Sequence, residues 1–160
     1  LAQARIPVIA SALNDLPASF EMLGATQSNI GRMKDAGVQV AIGMINDRDS
    51  HQLRYTTQYA GNIVSLERVP GATGLTWDEA FAAISSVPAD IMGVGDRLGS
   101  LKAGKAADVV VWDGDPLELS SAPTTVIIDG VEQPLDNRQN RLRDRYARPT
   151  EGDLPKAYDR

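Results

Sequence analysis

Six consecutive residues, Asn46-Asp47-Arg48-Asp49-Ser50-His51, gather two carboxylates and the only histidine of the chain. Carboxylates and imidazole are the side chains that carry protons or bind divalent cations. Asp47, Asp49 and His51 are therefore the candidate catalytic residues, and Asp47 is the candidate metal ligand. The same stretch also reads as a solvated helix start, with Asp49 or Ser50 capping a helix that begins near Gln52. It is not an EF-hand loop, because the glycine at the sixth position and the closing glutamate are missing.

Other groupings have stronger structural readings. Asp113-Gly114-Asp115-Pro116 pairs two carboxylates, but Asp-Gly and Asp-Pro are turn formers. Gly93-Val94-Gly95 fails the dinucleotide-binding pattern, with leucine at position 98 and no strand running into it. No serine sits in a nucleophile elbow. With no cysteine there is no disulfide, thiolate metal site or cysteine nucleophile, and one histidine cannot by itself build a two- or three-histidine zinc site.

The elements that must position the Asp47–His51 loop follow from the apolar pattern. Ile6 to Ala10 and Val38 to Ile42 are short β-branched runs that read as buried strands. Between them, residues 19–36 read as one or two helices with an apolar stripe of Met22, Leu23, Ile30 and Met33, closed by Gly37. Strand, helix, strand over this length is a βαβ unit with parallel strands. The candidate loop then leaves the carboxyl end of the second strand, where α/β folds place their active sites. A helix from about Gln52 to Arg68 turns Leu53, Tyr59, Ile63 and Leu66 inward. Thr76-Trp77-Asp78-Glu79 has the form of a capping box, opening a helix that buries Trp77, Phe81 and Ile84. A short helical segment spans Pro88 to Met92.

From Gly93 the texture changes to glycine-punctuated strands, Val109 to Trp112 and Val126 to Ile128, beside Asp113-Gly114 and Asp129-Gly130 turns. The expected organisation is an α/β portion over 1–92, a small β segment over 93–135 and a basic tail over 136–160. The whole chain carries 16 basic and 21 acidic residues, net −5. Seven basic and five acidic residues make the tail +2, so the rest is −7. That balance argues against nucleic acid as the main partner, and the Arg138, Arg141, Arg143, Arg145, Arg148 cluster reads as a solvated or subunit-contacting helix. No apolar run approaches the ~20 residues of a membrane span.

The run from Gly93 to Leu117, with Gly99-Ser100, Gly104-Lys105, Ala107-Asp108, Val109-Val110-Val111-Trp112-Asp113 and Asp115-Pro116-Leu117, resembles the C-terminal signature of the amidohydrolase superfamily. Pro88-Ala89 and Ile127-Ile128-Asp129-Gly130 fill its flanks. The resemblance spans about residues 6–133 and is nearest to the imidazolonepropionase-like and dipeptidase-like branch. It implies the last two strand-helix units of a metal-dependent hydrolase (β/α) barrel, followed by part of a small β-sandwich and a C-terminal helix. A whole barrel needs ~250 residues, so the chain, which opens at Leu1 rather than Met, reads as the C-terminal portion of something longer.

Functionally, the resemblance implies hydrolysis of non-peptide C–N bonds in a small cyclic amide or amide-like substrate. The parent would hold a divalent ion, zinc foremost, bound by histidines from earlier strands and an aspartate after the eighth. Here the family's Thr or Ser followed by Asp is replaced by Met44-Ile45, and Asp47 is the first carboxylate. Asp47 is the expected substitute, Asp49 the next candidate, and His51 a substrate contact or a group that orients one. The chain alone is expected to be inactive and to hold no metal tightly. It should form homo-oligomers or associate with the missing N-terminal part, because isolated barrel strands leave edges unpaired. The rival reading is a non-catalytic structural or interaction remnant of an amidohydrolase.

Overall fold

The computed structural model describes residues 1–12, 15–17, 19–44 and 52–147. Two strands, β1 (Val8–Ala10) and β2 (Val40–Ile42), pair in parallel with Val8 opposite Val40, Ile9 opposite Ala41 and Ala10 opposite Ile42. They are shorter than the apolar runs that announce them, although Val8 N–H still donates to the Gln39 carbonyl at 2.9 Å. All three residues of β2 are buried, as expected of a parallel strand covered on both faces.

The helical stretch between them divides. A 3-10 turn, Phe20–Met22, is separate from α1 (Asn29–Asp35). The break falls at Gly24 to Thr26, where the Thr26 hydroxyl accepts the Ser28 N–H at 3.2 Å and so competes with helical bonding. Leu23 is exposed, so the inward stripe reduces to half-buried Met22, buried Ile30 and half-buried Met33. Gly37 ends α1 with its N–H on the Lys34 carbonyl, and Val38 N–H returns to the Met33 carbonyl.

The next helix forms as a 3-10 turn Leu53–Tyr55, α2 (Thr56–Ser65) and a 3-10 turn Leu66–Arg68. Tyr59, Ala60 and Ile63 face the core, but Leu53 is 72% exposed and not inward. The capping box opens α3 (Trp77–Ala83): the Thr76 hydroxyl accepts Glu79 N–H, and the Glu79 carboxylate accepts Thr76 N–H at 3.1 Å. Trp77 and Phe81 are not buried; they are 38% and 37% exposed. The inward face of α3 is Ala80 and Ala83, whose small side chains admit the helix close to its neighbours. Trp77 and Phe81 instead stack on each other, ring centroids 5.1 Å apart. The short α4 (Ser86–Ile91) follows.

The second sheet is antiparallel, in the order β3 (Val109–Trp112), β4 (Pro123–Ile128), β5 (Val131–Gln133). Asp129 (φ 51°) and Gly130 (φ 76°) form the β4–β5 turn, which needs positive φ at both positions. Asp113-Gly114 is not a two-residue hairpin. It opens a longer loop that returns at Ala122, whose N–H meets Asp113 Oδ1 at 2.7 Å.

One apolar core joins the two sheets' surroundings. Ile30, Val40, Ile42, Met44, Tyr59, Ile63, Leu75 and Ala80 cluster with Leu117, which comes from the loop after β3. Gly61 on α2 makes room for it, since a Cβ there would overlap the Leu117 carbonyl oxygen. The final helix, α5 (Arg138–Tyr146), is capped by Asn137, whose side chain accepts Asn140 N–H at 3.0 Å.

Candidate active site

Parallel pairing brings the carboxyl ends of β1 and β2 to one edge, and Gly43 N–H extends the ladder to the Ala10 carbonyl at 2.9 Å. Just beyond, Ala12 and Met44 are both buried and belong to the core, so the floor at this end is apolar. Met44 is where the chain passes into residues 45–51. Asp47, Asp49 and His51, with the capping alternatives Asp49 and Ser50, lie outside the described residues. Their chain position is fixed at both ends: Met44 enters from β2, and Gln52 leads into the Leu53–Tyr55 turn.

Two features of the segments around the strands differ from what the sequence predicts. Arg54, three residues after His51, lies over the Tyr55 ring, its guanidinium carbon 5.1 Å from the centroid. That cation is exposed and also donates to the Tyr55 hydroxyl at 3.3 Å. Its signal was only the Arg-Tyr dipeptide at the start of a helix. The segments leaving the strands also expose Leu16, Phe20, Leu23 and Leu53.

The paired carboxylates of the Asp-Gly-Asp-Pro turn do structural work. Asp115 accepts the Trp77 indole N–H at 2.9 and 3.0 Å on its two oxygens, and Oδ1 also accepts Leu117 N–H at 2.9 Å. Asp113 is committed to Ala122. The signature run is likewise a clasp. The Lys105 ammonium donates to the Gly95 carbonyl at 2.5 Å, the Leu98 carbonyl at 3.3 Å and the Ser100 hydroxyl at 2.6 Å. Asp108 Oδ1 accepts Asp129 N–H at 2.7 Å, and Gly130 N–H reaches the Ala107 carbonyl at 3.0 Å. Together these bonds fix β3 to the β4–β5 turn and fold the 95–100 loop back on itself.

Among the described residues no three His, Cys, Asp or Glu side chains stand close enough to hold a metal ion. The described residues therefore do not fit a metal centre. An apolar cleft of about 400 Å³ lies between α3 and β3, walled by Phe81, Ile84, Leu98, Val110 and Trp112. Among the described residues Asp108 is its only ionisable lining residue.

A model of the amidohydrolase family matches residues 11–132, about three quarters of the chain. The chain belongs to the amidohydrolase family. This amidohydrolase chain is 52% identical over 60 residues to amidohydrolase tasK of Hapsidospora irregularis, a stretch that is 38% of this chain and 6% of that protein. It is 33% identical over 100 residues to an imidazolonepropionase of Maricaulis maris, covering 61% of this chain and 23% of the relative. The crystal structure of an amidohydrolase from Thermotoga maritima superposes with a TM-score of 0.69 at 30% identity, covering 82% of this chain and 32% of that one. The chain thus spans under a quarter of these two curated relatives and about a third of the solved structure. Its α/β fold is the one these similarities share. Among the described residues no helix is long and apolar enough to cross a membrane.

Proposed function

We propose that this amidohydrolase chain is the C-terminal portion of a metal-dependent enzyme that hydrolyses non-peptide C–N bonds in a cyclic amide or amide-like substrate. The observation that carries the reading is the parallel β1–β2 pair, of which β2 lies within the family-matched residues 11–132 and leads through Gly43-Met44 toward Asp47–His51. On this reading β1 and β2 are the last two barrel strands, and β3 to β5 belong to a small β-sandwich. The imidazolonepropionase and amidohydrolase relatives support the bond class.

In this reading Asp47 takes the proton of the attacking water as its oxygen bonds to the amide carbon, and the C–N bond breaks with proton delivery to the leaving nitrogen. Asp49 is the alternative carboxylate, and His51 contacts substrate. The divalent ion that the family implies finds no ligand set among the described residues. Asp47 is the ligand proposed from this chain, and the remaining ligands come from outside it.

One observation favours the rival, a non-catalytic remnant. Met44 is buried in the core, and with Ile45 it puts two apolar residues where a carboxylate is expected. An assay of the complete gene product against a panel of cyclic amides and open N-acyl amines separates the two. Ring opening or acyl release by a folded, metal-loaded sample supports the enzyme. A folded sample inert across the panel supports the remnant.

A further inference from the structure

Residues 106–137 hold seven carboxylates, Asp108, Asp113, Asp115, Glu118, Asp129, Glu132 and Asp136, and no lysine or arginine. All seven residues are exposed. The next nine residues are α5, with Arg138, Arg141, Arg143 and Arg145 against a single Asp144. The two signs are adjacent in sequence but scarcely meet in the fold. Among the described residues the α5 arginines make two ion pairs, Arg141 with Asp136 and Arg143 with its neighbour Asp144. Arg138 and Arg145 have none, nor do the other six carboxylates of the acidic stretch.

The turn into α5 explains why. Both the Asn137 and Asn140 side-chain amides donate to the Leu135 carbonyl, at 3.4 and 3.0 Å, and direct the helix out from the short segment after β5. Among the described residues no substantial packing joins α5 to another element. A lone helix of this length is marginal in water. At 100° per residue, Arg138, Arg141 and Arg145 fall within an arc of about 60°, with Leu142 and Tyr146 beside them. Arg141 and Arg145, four apart, repel each other in isolation. Such a helix gains stability from an acidic surface with apolar ground. The family match ends at residue 132, so the family fold does not account for α5.

We propose that α5 is a docking helix that seats on the acidic loops around β3–β5 of a second copy of this chain. The −7 charge outside the tail disfavours approach to RNA or an anionic membrane, while at contact range the same charge is what the α5 arginines match.

Sedimentation velocity on the complete gene product tests this, at about 0.15 M salt, where charges interact over ~8 Å. The wild type should self-associate and dissociate as salt rises. Arg138→Glu/Arg145→Glu should weaken association about tenfold or more. Glu118→Lys/Glu132→Lys should do the same, since neither side chain holds a structural bond among the described residues. Combining all four changes, or mixing the two double variants, should restore it. A monomeric wild type, or association indifferent to either double variant, overturns the proposal. So does tight binding of single-stranded RNA or anionic vesicles that Arg138→Glu/Arg145→Glu abolishes while self-association stays unchanged.

Discussion

Glu79 shows how much one side chain coordinates. One oxygen closes the capping box with Thr76, and the other accepts the Lys34 ammonium from α1 at 2.7 Å. The Lys34 bond, then the Thr76 N–H and hydroxyl, hold its carboxyl below the ordinary 4.5. Its contribution to stability is therefore complete above that value and is lost as the pH falls through the lowered pKa. Glu79→Gln should lower the melting temperature at neutral pH, and the gap from wild type should close as the pH falls through the lowered Glu79 pKa. A gap that persists in acid would show that shape, not charge, is what matters there. Leu117 is the other decisive residue, 6% exposed and set against Gly61. Leu117→Ala should cost ~2–4 kcal/mol by leaving a cavity, measurable by denaturant unfolding. The capping box is plain in the sequence as Thr-x-x-Glu. The Leu117 insertion is not, because its partner sits 56 positions earlier in the chain.

At the scale of elements, local rules sufficed where bonding is local. The parallel βαβ unit, the Gly37 helix end and the Asp129-Gly130 turn all follow from short-range chemistry. The sequence misleads where packing decides. Trp77 and Phe81 have the spacing of core residues, yet the core takes the alanines of α3 and leaves the aromatics to stack outside. The strand β5 has only three residues and no apolar alternation to announce it. The amidohydrolase signature is legible as a pattern, but only the structure shows what Lys105 does. Its ammonium ties three acceptors of the 95–100 loop, so Lys105→Met should destabilise by ~2–3 kcal/mol. Amide hydrogen exchange should show the loss concentrated at 93–108, and a uniform loss would contradict the clasp.

Over the whole molecule, the parallel sheet has only two described strands, and each leaves one edge without a described partner. Exposed Leu16, Phe20, Leu23 and Leu53 stand on the segments at its carboxyl end. The 160-residue chain on its own should therefore melt earlier and less cooperatively than the complete gene product, by calorimetry. Equal, sharp transitions would mean that this portion is self-sufficient. The candidate loop stands out in the sequence because it gathers the only histidine with two carboxylates. Its place along the chain after β2 is legible too, while Asp47, Asp49 and His51 themselves lie outside the described residues. The most direct measurement is turnover of the complete gene product carrying Asp47→Asn. Loss of the proton-accepting carboxylate should lower kcat by at least about a hundredfold with the melting temperature unchanged. Undiminished turnover in Asp47→Asn would contradict the catalytic role assigned to this loop.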